Sequence, residues 1–410
     1  MISTWPTRVA FVVDTNGGAP LRYRVQTPLS GLTELGIEVS VADAADPRLP
    51  ARLRDVDAAV VFRAPATVEL AASLSTTREQ NPETLLAFDI DDALFDDVHS
   101  PVDETWQAMS SRYRASIALC GRFLGSTPTI AGLAQEQTGV PSVAVANRLH
   151  PELLELSRRA RRQPRIPGPP RIALFDGSGT HGTSLERLTP VITEVIGRHR
   201  AHFWAFGAHS IPSSLGALGR SLHRVPFMDW RDLPAWMRQM DLILAPNSDS
   251  DVIADTKSPL KWLEASAVGV PTLAQATLPY RTTVRDGVDG VLVDGREPEA
   301  WIEPLEDLLV DPRRRRRIGR SAAIAVQEHD AVGAAQGLLA ALETLRLREP
   351  IDPPVALAGL PSGRVVQPLP TGSPERLKSP LGKRAVLRVL RGEPARRGSR
   401  RGAETERKGP

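Results

Sequence analysis

The chain has a single cysteine, Cys120, in 410 residues. One thiol excludes an internal disulfide framework and fits a reducing compartment. No apolar run approaches the roughly 18–20 residues that a membrane-spanning helix needs. The opening residues, MISTWPTRVAFVVD, lack a positive segment followed by an apolar core, so no secretory signal is expected. These absences point to a cytoplasmic protein, one whose only membrane contact is peripheral, on the inner face.

The charge is unevenly placed. Net charge is +3, yet residues 351–410 hold 13 Lys and Arg against 5 Asp and Glu, a net of +8. The rest of the chain therefore carries 38 against 43, or −5. A basic tail meets anionic surfaces or is simply solvated. Weak contact with an anionic membrane is the partner it suggests, through the island GKRAVLRVLRG (382–392). No nucleic-acid partner is expected. Nine prolines in these sixty residues predict a disordered Pro/Arg-rich tail over 350–410.

Before the tail, 41% apolar and 24% charged residues are ordinary for a soluble globular chain, and the length suggests two domains. RVAFVVD, GIEVSVA, DAAVVFR and TLLAFDI are short apolar runs bounded by turn residues, with helical segments between them. The pattern predicts a doubly wound parallel sheet over 1–156. In the helical stretch after the first run, LRYRVQTPLSGLTEL, Pro28 is an interruption. The Arg- and Pro-rich segment 157–170 reads as a linker. Strand-then-loop alternation restarts at RIALFDGSG and predicts a second Rossmann-like unit over 171–330, followed by helices over roughly 312–328 and 331–347. The chain from 331 to 349 is assigned to a C-terminal helix. The fold class expected is α/β, two Rossmann-like domains facing a cleft.

Two stretches hold candidate chemistry. In LLAFDIDDALFDD (85–97), Asp89 and Asp91 stand as D-x-D with Asp92 beside them. Such acids can clamp a divalent metal against a diphosphate. They can instead be a nucleophile with its general acid, or line a strand end without metal. His99 follows, as a general base or an ordinary loop residue. The second stretch, DLILAPNSDSDVIADTKSPLKWLEASAVGVPTLAQ (241–275), reads strand, helix, strand. Ser258 is expected to cap the helix with Pro259 in its first turn, and Gly269 to end it. Leu260, Leu263 and Ala267 form the buried stripe. Lys257, Lys261 and Glu264 share another face. A helix start with lysines suits a diphosphate, and a carboxylate accepts hydrogen bonds from a ribose diol. The same spacing also describes a surface helix with a Lys261–Glu264 pair.

On KSPLKWLEASAVGVPTLAQ and DGVDGVLVDGREPEAWIEPLEDLLVDPRRRRRIG, residues 171–330 resemble the donor-binding half of a GT-B glycosyltransferase of the group 1, family 4-like type. RYRVQTPLSGL (22–32) is similar to the acceptor-side domain of some members. The resemblance implies that Glu264 binds the nucleotide ribose. It implies that Gly177, Ser178, Gly179 and His181 approach the diphosphate, with Ser258 also on the donor side. It implies transfer from a nucleotide-diphosphate-sugar to a hydroxyl of a saccharide or lipid-linked acceptor, with retention of configuration, in cell-surface glycan or glycolipid synthesis. No cofactor is required and no metal site is assigned. Many relatives carry a second glutamate eight residues before the ribose acid, a position held here by Thr256. Either Asp255 substitutes for it or the sugar is recognised differently, with Lys257 and Lys261 neutralising the departing diphosphate. Lys257, Lys261 and Asp255 are thus the catalytic candidates. Asp89, Asp91, Asp92 and His99 are assigned to the acceptor side. Asn147 sits where relatives carry a hinge Asn.

Two alternatives stay open: a non-catalytic relative that binds only nucleotide or sugar, and a haloacid-dehalogenase-like phosphatase using Asp89 and Asp91. The run Arg313 to Arg317 is read as solvated, and Trp230, Trp236 and Trp262 as core.

Overall fold

A computed structural model describes residues 5–14, 18–96, 104–176, 182–207, 212–247, 250–295, 297–350 and 360–362. Two six-stranded sheets organise it, and every pairing between strands is parallel. The first contains β1 (Arg8–Val13), β2 (Glu38–Asp43), β3 (Ala58–Phe62), β4 (Leu85–Ile90), β5 (Phe123–Gly125) and β6 (Ser142–Ala144) in the order β2-β1-β3-β4-β5-β6. The second contains β7 (Arg171–Asp176), β8 (His202–Gly207), β9 (Leu222–Val225), β10 (Leu242–Ala245), β11 (Thr272–Gln275) and β12 (Val291–Val293) in the order β12-β11-β10-β7-β8-β9.

Central strands β3 and β4 are buried at every position, because helices cover both faces of a parallel sheet. That is why they read as apolar runs, interrupted only by Asp89 in β4. The edge strand β2 is largely uncovered and alternates less cleanly. Strand order reverses between β1 and β3 in the first sheet and between β7 and β10 in the second. Ligands of such sheets bind outside the carboxyl ends of the strands beside these reversals.

Two expectations about the connections change, and a third element finds its place. The segment 157–170 is not wholly a linker, since the helix Pro151–Arg161 extends into it and buries Ser157 and Ala160. The remainder is fastened down. Arg165 donates to the Met240 carbonyl at 2.9 Å, and Ile166 N donates to Gln239 Oε1 at 2.9 Å. The final helix, Ala331–Arg346, returns to the first domain, where Leu338, Leu342 and Leu345 pack with Val9, Phe11 and Val60. Gly31 permits this approach, because a Cβ there would lie 1.9 Å from the Ala331 carbonyl oxygen. Finally, part of the expected disordered tail is held. Leu360 packs on the first core and the Pro361 carbonyl accepts the Val68 N–H at 3.2 Å. Thr67 caps the helix Val68–Gln80 through Leu70 N, so Pro361 supplies an acceptor for a first-turn donor left over. The membrane-surface island 382–392 lies outside the described residues, and among those described no helix is long and apolar enough to cross a membrane.

The Arg313–Arg317 run is also not uniformly solvated. Arg315 is buried, and its guanidinium caps the carboxyl end of the helix Ile302–Val310 through the Leu308 and Leu309 carbonyls. Trp236 and Trp262 are core residues, as expected. Trp230 is half-buried and lies under guanidinium groups, described below.

Candidate active site between the two domains

Pro28 shapes the first wall of the site. Proline donates no backbone hydrogen bond, and its ring crowds the turn before it. The chain answers with a π-helical turn over Arg22–Gln26, where Thr27 N and Thr27 Oγ1 both donate to the Arg22 carbonyl, the latter at 2.7 Å. Such single wide turns inside helices are frequent at functional sites. Here the turn buries three successive polar side chains, Arg22, Tyr23 and Arg24, each about 5% exposed or less.

Arg24 answers most of the question posed by the acidic run. Its Nε and Nη2 hold Asp89 in a fork at 2.9 and 2.6 Å. Its Nη1 donates to the Val145 carbonyl and to Asn147 Oδ1. Burial opposes the Arg24 charge, but the attraction and hydrogen bonds of Asp89 outweigh it and hold the guanidinium above its ordinary pKa. The other acids are also matched. Asp91 meets Arg63 at 3.4 Å, and Arg63 adopts a left-handed backbone conformation with φ +47° at the end of β3. A non-glycine residue there stores strain, which persists at functional sites. Burial raises the Asp91 carboxyl, and Arg63 offsets this only in part. Burial also opposes ionisation of Asp92, but the Lys257 ammonium overrides it and keeps the carboxyl below the usual range. His99 lies outside the described residues.

The second wall belongs to the other domain. Lys257 Nζ crosses to Asp92 Oδ1 at 2.7 Å. Ser258 does not cap its helix as expected. The helix is Leu260–Ala267, Pro259 occupies the cap position, and Ser258 Oγ instead accepts Asn147 Nδ2 at 3.0 Å. The hydroxyl is committed to the opposite domain. A polar chain therefore runs from Asp89 through Arg24 and Asn147 to Ser258, next in sequence to Lys257.

Glu264 is buried on that helix, 7% exposed, and Tyr23 Oη donates to its Oε1 at 2.5 Å. Burial first, then the Glu264 charge, drive the Tyr23 phenol well above its ordinary pKa, so it stays a donor at any physiological pH. Arg22 Nη2 donates to the same phenol at 3.1 Å, and its guanidinium stacks over Trp230 at 4.3 Å from the ring centroid. Arg231 also lies over that ring, at 4.4 Å, and crosses to Glu152 at 2.6 Å. Lys261, one turn before Glu264, is half-buried and makes no side-chain bond or ion pair among the described residues.

The remaining candidates divide. Asp255 Oδ1 accepts the Leu278 N–H at 2.7 Å, holding the start of the helix Leu278–Thr283. Thr256 is fully buried and donates to the Ile253 carbonyl at 2.7 Å. Gly177, Ser178, Gly179 and His181 lie outside the described residues. Reasoning from sequence missed Arg22, Tyr23, Arg24 and Arg63 as partners of the acids. The available signal was Pro28, five residues after Tyr23, which forces the wide turn.

Residues 171–311 match the family described as Glycosyl transferases group 1. The D-inositol 3-phosphate glycosyltransferase of Salinispora tropica is 35% identical over 146 residues, which are 35% of this chain and 25% of that protein. The matched stretches span between 18% and 27% of the curated relatives' own length. Over whole chains the likeness is structural. A glycosyltransferase from Rickettsia africae superimposes with a TM-score of 0.58 at 11% identity, covering 83% of this chain and 99% of its own. The Anabaena protein HepE, solved with UDP-glucose, gives 0.53 at 16% identity, covering 82% and 99%. The fold is the two-domain GT-B arrangement.

Proposed function

We propose that this chain, whose residues 171–311 match the group 1 glycosyl transferases, moves a sugar from a nucleotide-diphosphate-sugar to an acceptor hydroxyl. The observation carrying this reading is the buried Glu264 carboxylate beside Lys261, unengaged among the described residues, on a helix whose start meets the first domain's acidic strand end. Glu264 accepts a hydroxyl already, from Tyr23, and a ribose diol offers the same donors. Lys261 is free to neutralise the diphosphate as the glycosidic bond to it breaks, the charge that most needs stabilising in such a transfer. Lys257 carries a second positive charge at the same crevice. HepE with UDP-glucose supports the donor class.

Asp91 and Asp92 form the acceptor wall. Asp89, enclosed and gripped through both oxygens by Arg24, is not available as a phosphatase nucleophile. The transfer retains configuration and serves glycan or glycolipid synthesis on the cytoplasmic side, peripheral to the membrane where the basic tail meets it. A hydroxyl of a saccharide or a lipid-linked acceptor receives the sugar. Thr256, buried and turned to its own helix, favours sugar recognition without the acid that many relatives carry there, and it keeps a second reading in play, a binder without turnover. Replacing Glu264 by Ala tests both. An enzyme loses donor turnover by orders of magnitude. Unchanged turnover refutes the assignment of Glu264, and absent turnover in the parent chain with nucleotide still bound favours the binder.

A further inference from the structure

A second concentration of positive charge lies away from the crevice, at the amino ends of the second sheet. There a cavity of about 240 Å³ is lined by Arg165, Arg238, Arg315, Arg316 and Arg320, with Asp241 the single acid among its lining residues. Its place follows from the chain. Asp241 immediately precedes β10, Pro271 precedes β11, and the first turn of the helix Pro312–Ala325 closes the side.

Asp241 is already committed. Its Oδ1 pairs with Arg165 at 2.9 Å and lies 3.7 Å from Arg315, while its Oδ2 accepts Arg171 N at 2.9 Å. Arg165 and Arg315 also donate to backbone carbonyls, which accounts for their burial. Three of the arginines have no such account. Among the described residues Arg238, Arg316 and Arg320 make no side-chain hydrogen bond or ion pair, and Arg238 Nε is shut off from solvent without a partner. A buried donor left unmade costs about 1–3 kcal/mol, and guanidinium groups gathered round one cavity repel each other. Burial, then the charges of Arg165 and Arg161, lower the Arg238 pKa.

We infer that this cavity is an anion site that takes a phosphate or diphosphate group, held by the unpartnered forks of Arg238, Arg316 and Arg320. Planar guanidinium forks match phosphate oxygens two at a time. The group is either a free phosphate compound or the headgroup of an anionic lipid. The site is separate from the donor crevice and does not depend on what that crevice binds.

The test is calorimetric titration of the full chain with inorganic pyrophosphate, alongside co-sedimentation with vesicles of equimolar phosphatidylglycerol and phosphatidylcholine. Three variants are compared: Arg238→Gln, Arg316→Gln with Arg320→Gln, and Lys261→Ala in the crevice. The exposed pair Arg316 and Arg320 can be replaced without disturbing the core, so it guards against misfolding of the Arg238 variant. Each pocket variant is expected to weaken binding by about tenfold or more, whereas Lys261→Ala leaves binding at the pocket intact. Loss in the pyrophosphate arm identifies a free phosphate compound, and loss in the vesicle arm alone identifies a headgroup. Binding that the pocket variants leave unchanged, or no binding in either arm, overturns the site.

Discussion

Arg24 reaches three acceptors at once: Asp89, the Val145 carbonyl and Asn147. Removing one member of a buried ion pair leaves the other charge stranded, at a cost of about 3–5 kcal/mol. Arg24→Ala is therefore expected to lose that much stability in urea unfolding, and a loss below about 1 kcal/mol, the range of exposed pairs, would mean Asp89 is not ionised there. Tyr23 gives a prediction of opposite character. Its hydroxyl holds the carboxylate assigned to the ribose, so donor binding has to displace it. Tyr23→Phe removes the competitor, and nucleotide affinity should rise severalfold in a titration. A fall would place the Tyr23 hydroxyl on the donor itself. At this scale the acids were legible and their partners were not. DIDD announces charge at a strand end, but the pairing of residue 89 with residue 24, or of 92 with 257, is set by which strands adjoin and how the domains meet.

Among the elements, those buried on both faces were easiest to read. β1, β3 and β4 read as apolar runs, save Arg8 at the start of β1 and Asp89 in β4, because helices cover the sheet twice. The helix Leu260–Ala267 was expected one residue too early, because Ser258 and Pro259 make a good helix start in isolation. The opposite domain's Asn147 claims the serine instead. The helix Ala331–Arg346 was legible as a helix, but its return to the first domain was not, since the signal is a single glycine 300 residues earlier in the chain. Gly31→Ala places a methyl against the Ala331 carbonyl. Overpacking of this kind typically costs about 1–3 kcal/mol. The expected outcome is a lower unfolding midpoint with faster proteolysis ahead of residue 331. A midpoint equal to the parent's would show that the two helices can part without cost.

For the molecule as a whole, acid should loosen the fold at two places, the domain junction and the outer strands β8 and β9 of the second sheet. The His329 carbonyl accepts Leu149 N at 2.8 Å, and its Nδ1 faces Arg148 Nη1 at 2.7 Å, so that nitrogen is an acceptor and the ring is neutral. Burial, then the Arg148 charge, lower the His329 pKa to about 4. His223, close to His202, is likewise lowered to about 4. Unfolded histidine titrates near 6.5. The unfolded chain therefore binds protons first as pH falls from about 6.5 towards 4, and stability drops across that window while staying level above it. Urea unfolding at stepped pH checks this, and His329→Gln together with His223→Gln should flatten the slope. A slope unchanged in that double variant would assign the acid sensitivity elsewhere.

The two-domain plan was legible from alternating strand and helix signals, and the crevice from where the strands end. The coupling across it was not, because Asp92–Lys257, Asn147–Ser258 and Tyr23–Glu264 each join residues more than a hundred positions apart. The donor assignment is tested most directly by thermal unfolding of the parent chain and the Glu264→Ala variant with UDP, GDP, ADP and dTDP. A ligand at a hundred times its dissociation constant stabilises the fold by about 2.7 kcal/mol. One nucleotide should raise the parent's midpoint and leave the variant's unmoved. No shift with any of the four, or an equal shift in both proteins, would contradict the account.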